Sequence, residues 1–221
     1  MNALQLVNSV FRRIRETEVV DFTSTYANMI LDFINETKRE VEDSWNWSML
    51  RSVKTITTSA GVSDYSITGA GQRFRFLPRD DGNVFAYDST NQNKVFLVDG
   101  DWVNKQAYLQ TITNNFPTEF AVIGQDSNLD PIVKFYPTPN GTYSIQIGLV
   151  IPQAELSATT DTLSIPWYPV VQGTWARAIS ERGEDGGQNT SEQYSMYMNS
   201  LGDAIAQDVA RTGTETVWRQ V

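Results

Sequence analysis

The sequence predicts an α+β fold in which N- and C-terminal helices form a four-helix bundle and an antiparallel β-sandwich or barrel is inserted between them. Three observations carry this reading. Apolar residues recur at helical spacing up to about residue 43 and again from residue 166. Between these stretches lie short runs rich in Val, Ile, Thr, Tyr and Phe, punctuated by Gly, Pro, Asn and Asp. The 221 residues are 40% hydrophobic, enough for a packed core and too many for a disordered chain.

The elements follow in order. Residues 4–17 read as an amphipathic helix with Leu4, Val7, Phe11 and Ile14 on one stripe and Arg12, Arg13 and Arg15 facing elsewhere. Residues 24–43 read as a second helix, capped by Thr23 or Ser24, with Tyr26, Ile30, Phe33, Ile34 and Val41 as its stripe. Its charges, Asp32, Glu36, Lys38, Arg39, Glu40 and Glu42, read as a solvated face. Trp45 and Trp47 mark the boundary between helix and strand. Two β-rich runs then meet at Ala60-Gly61 as a hairpin, and a second pair turns at Thr90-Asn91-Gln92. A third group turns at 126–130 and again at 137–141, ending in a strand with Tyr143, Ile145, Ile147 and Leu149 on one face. Residues 100–116 break the rhythm as a short helix or long loop. Pro166 and Pro169 open a third helix, 167–182, with Val170, Val171, Trp175, Ala178 and Ile179 as its stripe. The fourth, 190–210, uses Tyr194, Tyr197, Met198, Leu201, Ile205 and Val209. The expected domains are 1–48 with 164–210 (helical), 49–163 (β-rich), and 211–221 as a C-terminal arm.

Composition narrows the chemistry. With no Cys and no His, disulfides, thiolate or imidazole metal sites, and Ser-His or Cys-His catalysis are excluded. A net charge of −9 without a basic cluster argues against a protein that grips phosphates. No apolar run approaches the ~20 residues of a membrane span. The first residues place their basic side chains after the apolar ones, the reverse of a signal peptide, so the protein is expected to stay in the cell that makes it or in a particle assembled there.

Carboxylates group at Asp80-Asp81, Asp99 with Asp101, and Glu181 with Glu184 and Asp185. All lie beside glycine in turn-like contexts, where Asp and Glu are common without catalysis. "DSTNQNK" and "DSNLD" have spacing of calcium-loop type but lack the glycine and terminal Glu of an EF-hand. No phosphate-cradling glycine motif is present. The six tryptophans, Trp45, Trp47, Trp102, Trp167, Trp175 and Trp218, are spread widely, and four of them lie at element boundaries or in helices, where packing rather than sugar binding is the favoured role. No enzyme activity, cofactor or metal is therefore expected, and a carbohydrate-binding or tail-fibre-like β module is the alternative reading. Ile165, Trp167 and Tyr168 read as fixing the crossing from the β region into the helices, and Trp175 as packing the bundle core.

The order of the segments carries a resemblance. "ILDFINETKREVEDSWNWSMLR" is followed by "KTITTSAGVSDYSI", "RFRFLPRDD" and "FPTEFAV". Then come "IVKFYPTPNGTYSIQIGLVIP", "LSATTDTLSIPWYPVVQGTWARAIS" and "SEQYSMYMNSLGDAIAQ". Over roughly residues 20–210 the chain resembles the head-to-tail adaptors of tailed bacteriophages, the tail tubular protein A-like or portal adaptor group. The resemblance implies a structural virion protein at the head–tail junction, assembled in the host cytoplasm. It implies a ring, commonly of twelve copies, that connects the portal protein to a tail nozzle or other tail protein. Double-stranded DNA would pass through without sequence-specific binding, both for genome retention and for ejection. On that reading Asp80, Asp81, Asp99, Asp101, Glu184 and Asp185 line or flank the channel. The arm would dock on the portal or a neighbouring subunit through Arg211, Val217, Trp218 and Arg219.

Overall fold

A computed structural model describes residues 1–77, 84–101, 114–183 and 188–211. The fold is α+β and divides into two compact units, Met1–Leu50 with Gln153–Val221, and Arg51–Pro152.

The first unit holds four helices among its described residues: α1 (Ala3–Arg13), α2 (Thr25–Ser44), α3 (Trp167–Arg182) and α4 (Gln188–Arg211). A reciprocal capping box starts α1: Asn2 Oδ1 accepts from Gln5 N–H, and Gln5 Oε1 accepts from Asn2 N–H. The helix stops four residues short of the sequence expectation because the chain turns at Arg15, whose φ is +61°. Its buried stripe is Ala3, Leu6, Val7, Val10 and Phe11, while Leu4 is only half-buried. Ser24 caps α2 by accepting from Ala27 N–H. Gly183, at φ +63°, ends α3 and returns its N–H to Ile179 O.

Helix α3 packs on α1, α2 and α4, and α1 packs on α2. Because neighbours surround it, Pro169 to Thr174 are buried as a continuous run rather than as a stripe. Gly173 allows the closest approach: a Cβ there would lie 2.6 Å from Thr37 Cγ2 and 3.0 Å from Tyr197 Cδ2. Trp175, expected in the core, is half-buried at the surface, with the Arg13 guanidinium 5.4 Å above its ring. On α4 the buried face is Tyr197, Ser200, Leu201, Ala204 and Asp208; Tyr194, Met198 and Val209, expected inside, are exposed.

Segment 153–163, assigned from sequence to the β region, belongs to the helical unit. Ala3 N–H donates to Asp161 O at 2.8 Å, Leu163 N–H donates to Met1 O at 3.0 Å, and the Asn35 amide satisfies both the N–H and the C=O of Leu156. Lys38 and Glu42, expected on a solvated face, are buried here. Their side chains are 2% and 0% exposed and pair at 3.0 Å. Lys38 Nζ also donates to Gln153 O at 2.7 Å, and Glu42 Oε1 accepts from Gln153 N–H at 3.1 Å. One ion pair thus satisfies both backbone groups of a residue leaving the sheet.

Among its described residues the second unit is one eight-stranded, nearly closed, barrel-like sheet. Its strands are β1 (Arg51–Thr57), β2 (Asp64–Ser66), β3 (Arg75–Phe76), β4 (Phe85–Asp88), β5 (Lys94–Leu97), β6 (Glu119–Gln125), β7 (Pro131–Tyr136) and β8 (Ser144–Val150). The order is β1-β8-β4-β5-β6-β7-β2, with β3 also on β8. The sheet is not wholly antiparallel as expected, because β5 and β6 pair parallel through Phe96↔Glu119. The β4–β5 and β6–β7 hairpins form where the turn residues predict them. The Ala60-Gly61 turn does not join a hairpin: β1 pairs with β8, and β2 with β7. Likewise β7 and β8, linked through 137–141, are not neighbours in the sheet. The core gathers Val95, Phe120, Phe135, Ile145, Ile147 and Leu149.

Turn carboxylates lock this unit. The Asp130 carboxylate accepts the N–H groups of Gly69 and Gly71, each at 2.8 Å, while Asp126 Oδ1 accepts those of Asn128 and Asp130. Asp88 accepts from Thr90 and Asn91 N–H in the β4–β5 turn. The two calcium-like stretches therefore spend carboxylate oxygens on backbone donors. The Gly71 N–H, followed by that of Gly69, holds the Asp130 carboxyl below its usual range. A depressed folded-state pKa gives stability that is present above the unfolded value of about 3.9 and lost as pH falls through the folded one. Asp130→Asn is expected to melt below the unsubstituted protein at neutral pH, with a gap that narrows only below about pH 4. Calorimetry across pH checks this; a gap of constant size down to acid pH would show that the charge is not what holds the turn.

Candidate functional site

The most distinctive surface of the helical unit is a groove of about 510 Å³ between the start of α3 and the end of α4. Met49, Ile165, Trp167 and Tyr168 line one part of it, with Asp203 and Arg211 on α4. Ile165, Trp167 and Tyr168 were expected to fix the crossing from the β region into the helices. Ile165 is indeed buried, yet the two rings are 42% and 46% exposed and Met49 is 66% exposed. Pro166, at φ −55° and ψ 123°, leads directly into α3, and the two rings stand on that helix's first turn, beside the end of α4. The rings meet edge to face at 5.5 Å, a rigid pair offering large apolar area.

Asp208 anchors the neighbouring wall. It is buried, and its carboxylate accepts from Trp45 Nε1–H at 3.2 Å and from Ser48 N–H at 3.0 Å. The chain leaving α2 is thereby clamped to α4, which holds Met49 at the groove.

A second groove, about 440 Å³, lies among Arg13, Arg15, Trp175, Ile179 and Arg182. Arg182 donates to the Tyr26 hydroxyl and to Ile14 O, and it pairs with Glu16; the Tyr26 hydrogen bond and then that of Glu16 raise its pKa. Burial lowers that of Arg13, whose Nη1 is buried without a hydrogen-bond partner. On the α2 side Asp32, Glu36, Glu40 and Glu155 gather around Arg177, which pairs with Glu36 at 3.5 Å and also with Glu40. Beneath them Tyr197 is pushed up to about 12, first by burial and then by Glu40.

The sequence-selected residues separate into three groups. Asp99 and Asp101 lie together and exposed after β5, where Asp101 N–H donates to Asp99 Oδ1. Arg211 lies on the first groove. Asp80, Asp81, Glu184, Asp185, Val217, Trp218 and Arg219 lie outside the described residues. The groove residues Met49, Trp167 and Tyr168 were not selected as a surface. The signal was present in the proline-flanked Trp-Tyr pair, but sequence does not distinguish an inward from an outward first turn. Among the described residues, no cluster of acidic side chains is arranged to hold a metal ion, and no helix is long and apolar enough to cross a membrane.

An α+β chain with hydrogen-bond-locked turns and an exposed aromatic groove has the features of a structural interaction protein. The family comparison agrees: the model of the SU10 adaptor protein family matches residues 1–219. The chain belongs to that family, a phage head–tail adaptor-type family of structural rather than enzymatic proteins. No curated protein matches the chain. As a phage adaptor it is a virion protein that interacts with other head or tail proteins.

Proposed function

We propose that the protein forms the ring, of twelve copies, that joins the portal to the tail at the head–tail junction and extends the DNA channel. The observation that carries this reading is an exposed Met49–Trp167–Tyr168 groove, unusual for a monomer's surface, on a chain of the adaptor family. In the ring the four helices act as one bundle. The portal and the tail nozzle, or another tail protein, bind at opposite ends. Asp80, Asp81, Asp99, Asp101, Glu184 and Asp185 flank the channel, where like charge keeps passing DNA from adhering during retention and ejection. The net charge of −9 supports this, as does the exposure of Asp99 and Asp101. Residues 211–221 are an arm that docks on the portal or on a neighbouring copy, with Trp218 as anchor and Arg211 and Arg219 meeting carboxylates. Electron microscopy of the purified protein mixed with its portal is expected to show a stoichiometric ring below the portal. A protein that remains unbound to portal, or that binds duplex DNA tightly at physiological salt, would overturn the proposal.

A further inference from the structure

We infer that the groove lined by Met49, Trp167, Tyr168 and Arg211 receives residues 212–221 of a neighbouring copy, so that each arm fills the next subunit's groove. The inference rests on the ring reading above and names the surface that the arm uses. Three observations support it.

The first is where the segment starts. Arg211, the last residue of α4, itself lines the groove, so the ten residues that follow leave from its rim. The second is chemical complementarity. The segment is TGTETVWRQV, polar except for Val217, Trp218 and Val221, and the groove offers exposed Trp167, Tyr168 and Met49 together with Asp203, which suits Arg219. An aromatic anchor in an apolar hollow with a charge pair at its edge is the usual composition of a small interface's energetic centre.

The third decides between the chain's own groove and the next. Trp218 is separated from Arg211 by Thr212, Gly213, Thr214, Glu215, Thr216 and Val217. Three threonines and a valine favour extended backbone. Seven residues in that conformation carry Trp218 about 23–25 Å from Arg211. That overshoots a hollow of about 510 Å³ at whose edge the segment begins. A receiving groove on another copy satisfies both the reach and the chemistry. The contact is head-to-tail, the kind that closes rings.

The absence of cysteine makes the test direct. Two full-length variants, Met49→Cys carrying a size tag and Val217→Cys without one, are mixed with portal protein and oxidised. The expected product is the mixed disulfide between the two chains, formed well above the level given by Val20→Cys, an exposed position outside the groove, and lost when Trp218→Ala is added. Trp167→Ala, at a half-exposed site where folding tolerates truncation, is expected to raise the concentration needed for ring formation about tenfold or more. An intrachain disulfide in the doubly substituted protein would place the arm in its own groove and overturn the inference. So would rings that form with mixed disulfide no higher than at Val20, in which case the ring reading stands and the groove assignment falls. A protein that forms no ring overturns both.

Discussion

Replacing Glu42 with leucine is expected to destabilise the helical unit by about 3–5 kcal/mol, because it leaves the Lys38 ammonium buried without its charge partner. Lys38 is 2% exposed, and its remaining acceptor would be Gln153 O alone. The double change Lys38→Met with Glu42→Leu is expected to recover much of that loss, since removing both charges leaves apolar side chains of similar volume. Recovery should stop short of the unsubstituted protein. Gln153 would then have lost the partners of both its N–H and its C=O, at about 1–3 kcal/mol for each group left unsatisfied. Urea unfolding followed by the helical circular dichroism signal measures all three proteins. If the double variant is no more stable than Glu42→Leu, the pair is not coupled as the geometry requires.

Trp47→Ala should cost a similar amount, about 3–5 kcal/mol, by leaving a large void. Trp47 is 1% exposed, and its Nε1–H donates to Val41 O, a carbonyl in the last turn of α2 that also accepts from the Ser44 hydroxyl. Trp47→Phe separates the two contributions. It fills most of the space but lacks the donor, and should fall between the parent and the alanine variant. Thermal unfolding of the pair provides the check; equal loss in both variants would mean that the hydrogen bond, not the volume, dominates.

These two predictions concern residues that the sequence ranked differently. Trp47 was legible as a boundary residue because a tryptophan after a helical period must find cover. Lys38 and Glu42 were not legible: an i, i+4 charge pair on a helix has the same pattern whether it faces water or a returning chain. The cover comes from Gln153, more than a hundred residues away, and no local rule reports it.

Sequence by itself determined the helices, the α+β class and the hairpins at the β4–β5 and β6–β7 turns, because all of these depend on neighbours within a few residues. Capping side chains, prolines and hydrophobic period act over that range. Tertiary structure alone decided which strands meet. Arg51↔Val150 joins segments a hundred positions apart, and the parallel β5–β6 pair has no turn to announce it. It also decided the phase of α4. The helical period was right, yet the buried face centres on Tyr197 and Ala204 rather than Tyr194 and Met198, a rotation smaller than the roughly 100° between successive residues. Period is written in a helix's own residues, whereas the side that is buried depends on what packs there, and here that is α3 through Gly173. The groove has the same origin: its aromatic pair is visible in the sequence, and its exposure follows only from where α3 and α4 meet.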